Sequence, residues 1–98
     1  MEFEKTLEGA TLTLALTGRL VTTTAPLLEN ELNESLAGIK KLVLDFKGVE
    51  YVSSAGLRVL LTTQQTMNRQ GEMVMKNVSD DILHVLEITG FTSILTIE

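Results

Sequence analysis

The chain has 98 residues, 44% of them hydrophobic and 21% charged, which is enough for one packed domain and too few for two. Its formal net charge of −5 argues against a nucleic-acid binder, which needs a clustered cationic surface, and the lack of cysteine excludes disulfides, thiolate catalysis and Cys-based zinc sites. The start, Met1-Glu2-Phe3-Glu4-Lys5, does not read as a secretory signal and no apolar run approaches a membrane span, so the cytoplasm is the expected compartment.

Phe3 to Leu7 alternates, and Thr11-Leu12-Thr13-Leu14-Ala15-Leu16-Thr17 alternates strictly, with Glu8-Gly9 between them. This pattern predicts a β-hairpin with strands near 3–8 and 10–17, closed by Gly18. From Thr24 the period changes: Leu28, Leu32 and Leu36 recur every four residues, with Glu29, Asn30, Glu31, Asn33 and Glu34 between them. An amphipathic helix near 24–37 follows, capped by Thr24, with Pro26 in its first turn and Gly38 as its stop. Leu42 to Phe46 is a short apolar run, expected to be a strand near 41–46 covered on both faces, and Lys47 to Val52 reads as a connecting segment.

A second helix is predicted near 54–69, with Leu57, Leu60, Leu61 and Met67 on one side and Arg58, Gln65 and Arg69 mostly on the other. Gly71 closes it, and a strand near 72–76 surrounds Met73, Val74 and Met75. A third helix near 79–89 is capped by Ser79 or Asp80 and ended by Gly90, and a last strand is expected near 94–97. The order ββαβαβαβ describes a single α/β domain over 1–98, a mixed sheet opened by a hairpin with crossover helices packed on it.

The chemically informative stretch is Tyr51-Val52-Ser53-Ser54-Ala55-Gly56-Leu57-Arg58. It lies at the carboxyl end of the central strand and opens the second helix, the edge where functional loops gather in open α/β sheets. A helix N-terminus tolerates a phosphate. Of the two serines, one can act as an N-cap while the other stays free. Gly56 removes side-chain bulk, which would let another protein approach the backbone closely. Other polar groups carry less. His84 is the lone histidine and falls with Asp81 and Glu87 on a solvated helix face. Asp80-Asp81 suits a helix start, Glu29 to Glu34 suits a solvated face, and the methionines suit a core. No metal site, catalytic residue or cofactor is expected.

Val49-Glu50-Tyr51-Val52-Ser53-Ser54-Ala55-Gly56-Leu57-Arg58-Val59-Leu60-Leu61 resembles the signature of STAS domains, the family of bacterial anti-sigma factor antagonists. The resemblance covers essentially the whole chain. Gly18-Arg19-Leu20, Thr24-Ala25, Lys41 to Phe46 and Gly71-Glu72 are similar to other segments of that family. It implies a non-enzymatic module that binds an anti-sigma factor when unphosphorylated and so releases a sigma factor. The anti-sigma factor, itself a serine kinase, switches the module off by phosphorylating one serine, and a serine phosphatase resets it. By alignment that serine is Ser54. The resemblance also implies that the Gly18–Ala25 loop, with Thr22 and Thr23, joins Ser53, Ser54, Ala55 and Gly56 in partner binding, with Arg58 as a rim contact.

Two positions depart from the family pattern. Ser53 stands where an acidic residue usually precedes the phosphoserine, and Val21 where an acid often follows Gly-x-Leu. Ser53 is thereby a competing acceptor. The alternative function is a STAS docking subunit of a transporter ATPase or larger signalling complex, with Ser54 never phosphorylated. A serine hydrolase fits poorly, since there is no Gly-x-Ser-x-Gly elbow and the only histidine lies on a distant helix.

Overall fold

Alternation in the second strand puts its leucines on one side, and Leu12, Leu14 and Leu16 are all buried. The computed structural model, which describes residues 1–98, builds this strand as β2 (Thr11–Leu20), antiparallel to β1 (Glu2–Glu8). There follow α1 (Ala25–Ser35), β3 (Lys41–Val52), α2 (Ser54–Gln70), β4 (Glu72–Lys76) and α3 (Asp80–Ile88), then a 3-10 turn over Phe91–Ser93. The sheet order is β1-β2-β3-β4, with β2, β3 and β4 mutually parallel. This is the expected α/β architecture with a mixed sheet.

Two right-handed crossovers that step the same way along a sheet place their helices on one face. The core agrees with that geometry. Leu28 and Leu32 of α1, Leu57, Leu60 and Met67 of α2, and Ile82 and Leu86 of α3 share one hydrophobic cluster with Leu14, Leu44, Phe46 and Met75 of the sheet. Val43 and Val74, paired across β3 and β4, are buried but lie outside that cluster. Leu42, Val43 and Leu44 are all buried, so β3 is covered on both faces there, as expected, with Leu42 and Leu44 on the side of the main cluster. The opposite face of the sheet carries Val43 and Val74 among Thr11, Thr13, Lys41, Asp45 and Lys76, and Lys41 and Glu72 form an ion pair at 3.7 Å on it.

Two strand boundaries also differ from the sequence expectation. β2 runs past Gly18 to Leu20, and β3 runs through Lys47–Val52 instead of ending at Phe46. The pairing absorbs an irregularity between Ala15 and Thr17 and another between Gly18 and Arg19. Gly48 makes this possible, because a Cβ there would stand 2.8 Å from the Leu16 carbonyl oxygen. What reads as a Lys-Gly break in sequence is a close backbone approach within a continuous strand.

The last strand, expected near 94–97, shrinks to a single parallel bridge between Met75 and Ile97. The 3-10 turn consumes Phe91–Ser93, and only Thr96 and Glu98 reach β4: the Met75 N–H donates to the Thr96 carbonyl and the Glu98 N–H to the Met75 carbonyl, both at 2.9 Å.

Asp45 ties the open face to the turn after β4. Its carboxylate accepts from Asn77 Nδ2 at 2.9 Å and from the Lys47 N–H at 3.0 Å. Asn77 sits at φ +58, in the left-handed region. The Asn77 and Lys47 donors hold the Asp45 carboxyl below its usual value of 3.8. A folded-state pKa below the unfolded one stabilises the fold above that unfolded value, and the contribution is lost as pH falls through the folded pKa. Asp45→Asn is expected to lower the thermal midpoint at neutral pH, with the gap to wild type closing as the solution is acidified through the carboxylate range, from the unfolded value downward. Calorimetry across that range checks it, and a gap independent of pH would contradict it.

Candidate functional site

The carboxyl ends of β2 and β3 lie side by side, so the loops that leave them meet. The Ser53 N–H donates to the Leu20 carbonyl at 2.9 Å and joins the start of α2 to the β2–α1 loop. That loop is a tight turn in which the Ala25 N–H donates to the Val21 carbonyl at 2.7 Å. Thr24 pins it. Its hydroxyl oxygen accepts from the Val21 N–H at 2.8 Å and donates to the Arg19 carbonyl at 2.5 Å. The expected side-chain cap from Thr24 onto α1 does not form, because the hydroxyl is committed to the loop instead.

Around this junction Thr22, Thr23, Ser54 and Arg58 are exposed, while Ser53 and Ala55 are half-buried. Ser54 is the first residue of α2, and Arg58 follows one turn later on the same helix. The backbone amides of that first turn have no intrahelical partners and carry the positive end of the helix dipole, a setting that favours an anion on the Ser54 hydroxyl.

Gly56 needs a different account from the one its sequence position suggests. It is buried, and a Cβ there would stand 2.7 Å from Leu20 Cγ and 2.9 Å from the Leu20 carbonyl oxygen. The missing side chain makes room for Leu20 of this chain, so internal packing by itself requires glycine at this position.

Ser53 occupies the N-cap position in extended conformation, yet its side chain makes no cap hydrogen bond. Its Oγ is buried and has no hydrogen-bond partner. A buried unpaired hydroxyl costs free energy, so Ser53→Ala is expected to be neutral or stabilising by up to about 1 kcal/mol, not to lose a cap. Urea unfolding measures this, and a loss of more than about 1 kcal/mol would show the hydroxyl to be bonded. Burial also makes Ser53 the poorer acceptor for another enzyme's phosphoryl group, while Ser54 is open.

Two residues at this end carry no sequence signal of their own. Arg19 and Tyr51 are register partners on β2 and β3, and the Arg19 guanidinium lies 5.3 Å from the Tyr51 ring centroid. Tyr51 is 48% exposed. Only the pairing of an extended β3 with an extended β2 brings them together, and the strand boundaries expected from sequence hide that pairing.

His84, Asp81 and Glu87 are exposed on α3, as their helical spacing implies. No three His, Cys, Asp or Glu side chains converge in a way that could hold a metal ion. No helix is long and apolar enough to cross a membrane.

Comparison with known proteins agrees with this geometry. The chain is 43% identical over 61 residues to a Bordetella bronchiseptica protein that carries the name anti-sigma factor antagonist BtrV. The match covers 61% of this chain and 53% of that protein, so the chain spans about half the length of the curated relative it matches. Among solved structures, an anti-sigma factor antagonist from Mycobacterium paratuberculosis superposes with a TM-score of 0.88 at 20% identity, covering 98% of this chain and 83% of the other. SpoIIAA of Bacillus in its phosphorylated form superposes with a TM-score of 0.76 at 14% identity, covering 99% and 91%. At such identities these two structures speak for the fold. A family model described as STAS domain matches residues 2–98. The chain belongs to the STAS domain family.

Proposed function

We propose that the chain is a non-enzymatic anti-sigma factor antagonist, active in the cytoplasm, that binds a serine-kinase anti-sigma factor and is released from it by phosphorylation of Ser54. The observation that carries this reading is an exposed serine hydroxyl on the first turn of α2, joined through Ser53 and Leu20 to the exposed Thr22-Thr23 loop. This supports a reading in which the phosphate acceptor and the residues a partner would touch lie at the same end of the sheet. The kinase would transfer the γ-phosphoryl of ATP to Ser54 Oγ, leaving ADP, and a serine phosphatase would hydrolyse the ester to restore the hydroxyl.

The fold is expected to survive the modification. The phosphate brings about −1.5 to −2 charges at neutral pH, and the dipole end of α2 and the nearby Arg58 offset it. A partner seated on Ser54 would have to bury that charge, so the switch acts locally and the backbone stays where it is. Arg58 is exposed and forms none of the chain's ion pairs. Arg58→Glu is expected to weaken binding of the anti-sigma factor about tenfold while thermal stability stays unchanged. Titration calorimetry beside thermal unfolding checks both, and a loss of stability would make Arg58 a structural residue.

A further inference from the structure

Charge is unevenly spread over this molecule. The Gly18–Ala25 loop and α2 together contain Arg19, Arg58 and Arg69 and no aspartate or glutamate, in a chain whose net charge is −5. Glu50 is the only acid between Asp45 and Glu72. The three ion pairs in the chain, Lys5–Glu31, Lys41–Glu72 and Lys76–Glu98, all use lysines. Every arginine is left without an internal carboxylate, and two of the three stand at the Ser54 end.

Arg19 is also held in place. Its carbonyl accepts from the Thr24 hydroxyl, its strand is paired to β3, and its guanidinium lies over the Tyr51 ring, 5.3 Å from the centroid. The next residues on the two strands, Leu20 and Val52, are buried at 0% and 4% exposure. By strand alternation Arg19 and Tyr51 therefore project from the opposite, open face, at the carboxyl ends of β2 and β3, the end of the sheet at which Ser54 opens α2. A guanidinium over an aromatic face has N–H groups free for a carboxylate, and the ring contact narrows the conformations open to it. Exposed tyrosine and arginine held in this way are the residue types that concentrate binding energy at protein interfaces.

We infer that the Arg19–Tyr51 pair is a specificity anchor of the binding surface, and that its occupant is an acidic segment of the anti-sigma factor. A partner carboxylate accepts from the Arg19 guanidinium while an apolar part of the same segment covers the Tyr51 ring. This rests on the chain's being an anti-sigma factor antagonist, and it adds the chemistry of the partner's contact and two residues that read it.

The test measures binding of the purified serine-kinase anti-sigma factor of the same organism to the full chain by titration calorimetry at two salt concentrations. Arg19→Glu should weaken binding about thirtyfold, and Tyr51→Ala about tenfold. Tyr51→Phe, which keeps the ring, should stay within about threefold of wild type. Arg19→Lys keeps the charge but loses the planar fork, and should fall between wild type and Arg19→Glu. Added salt should weaken wild type more steeply than Arg19→Glu. Arg19→Glu and Tyr51→Ala both binding within about twofold of wild type, with Ser54→Asp still unable to bind, would overturn this anchor and leave the antagonist function standing. Failure of wild type and Ser54→Ala alike to bind the kinase would overturn the function itself, and the anchor with it.

Discussion

Ser54→Asp is expected to lose most of the affinity for the anti-sigma factor, by about a hundredfold or more, while Ser54→Ala binds as tightly as wild type and resists the kinase. The magnitude follows from desolvation. Burying a charge at an interface without a dedicated cation costs about 3 kcal/mol, which is roughly a hundredfold in Kd. Arg58 one turn away softens the penalty for the free chain, because it can pair with the new charge in cis. That same pairing withdraws Arg58 from the partner, so the modified serine acts twice, as a buried charge and as a competitor for a rim arginine. A carboxylate carries less charge than a phosphate, so the phosphorylated chain should bind more weakly still. Calorimetric titration of the three proteins reads this directly. Ser54→Asp binding as well as wild type would place the interface elsewhere.

Gly56→Ala is the second large effect, and two terms compete for its sign. Alanine is better than glycine inside a helix by about 1 kcal/mol. Against that, the new methyl would sit 2.7 Å from Leu20 Cγ and 2.9 Å from the Leu20 carbonyl oxygen. Leu20 is fully buried, so its side chain cannot swing into solvent, and its carbonyl already accepts from the Ser53 N–H. Overpacking against a fixed backbone costs about 1–3 kcal/mol or more, so the clash wins and the variant is destabilised. Relief would come by parting α2 from the β2–α1 loop, which moves Ser54 relative to Thr22 and Thr23. The expected result is a lower thermal midpoint together with weaker binding of the anti-sigma factor. A stabilised variant that binds normally would show that the loop and helix are not locked together.

Much of the fold is legible in the residues, because periodicity reports burial. The strict alternation in β2 and the four-residue spacing of Leu28, Leu32 and Leu36 name the faces that enter the core, and those leucines are buried. What the sequence conceals lies at the ends of elements. Lys47-Gly48 looks like a break, and only the contact with the Leu16 carbonyl explains why β3 passes through it. The last strand is cut short because the 3-10 turn over Phe91–Ser93 ends on Ile94 in helical conformation, so the chain is not extended there and only Ile97 bridges to β4.

At the site, the meeting of two loops follows from parallel strands whose carboxyl ends are neighbours, and that was readable. The private arrangement of side chains was not. Thr24 and Ser53 both occupy N-cap positions, yet Thr24 spends its hydroxyl on the loop and Ser53 leaves its own unpaired. Gly56 makes room for Leu20, a packing role that its place in the sequence does not reveal. Arg19 and Tyr51 are 32 positions apart and become neighbours only through the register of β2 with β3. Pattern reasoning sees one strand at a time, so a pair of this kind emerges only when the register is known.

Phosphosite mapping decides whether Ser54 is the switch. The chain is incubated with the serine-kinase anti-sigma factor and ATP, its intact mass is measured, and the modified residue is located by fragmentation. A single phosphate on Ser54, absent from Ser54→Ala and retained in Ser53→Ala, is the predicted result. Phosphate on Ser53 alone would contradict it, and so would an unmodified chain that still binds the kinase, which would mark a docking module without a phosphorylation switch.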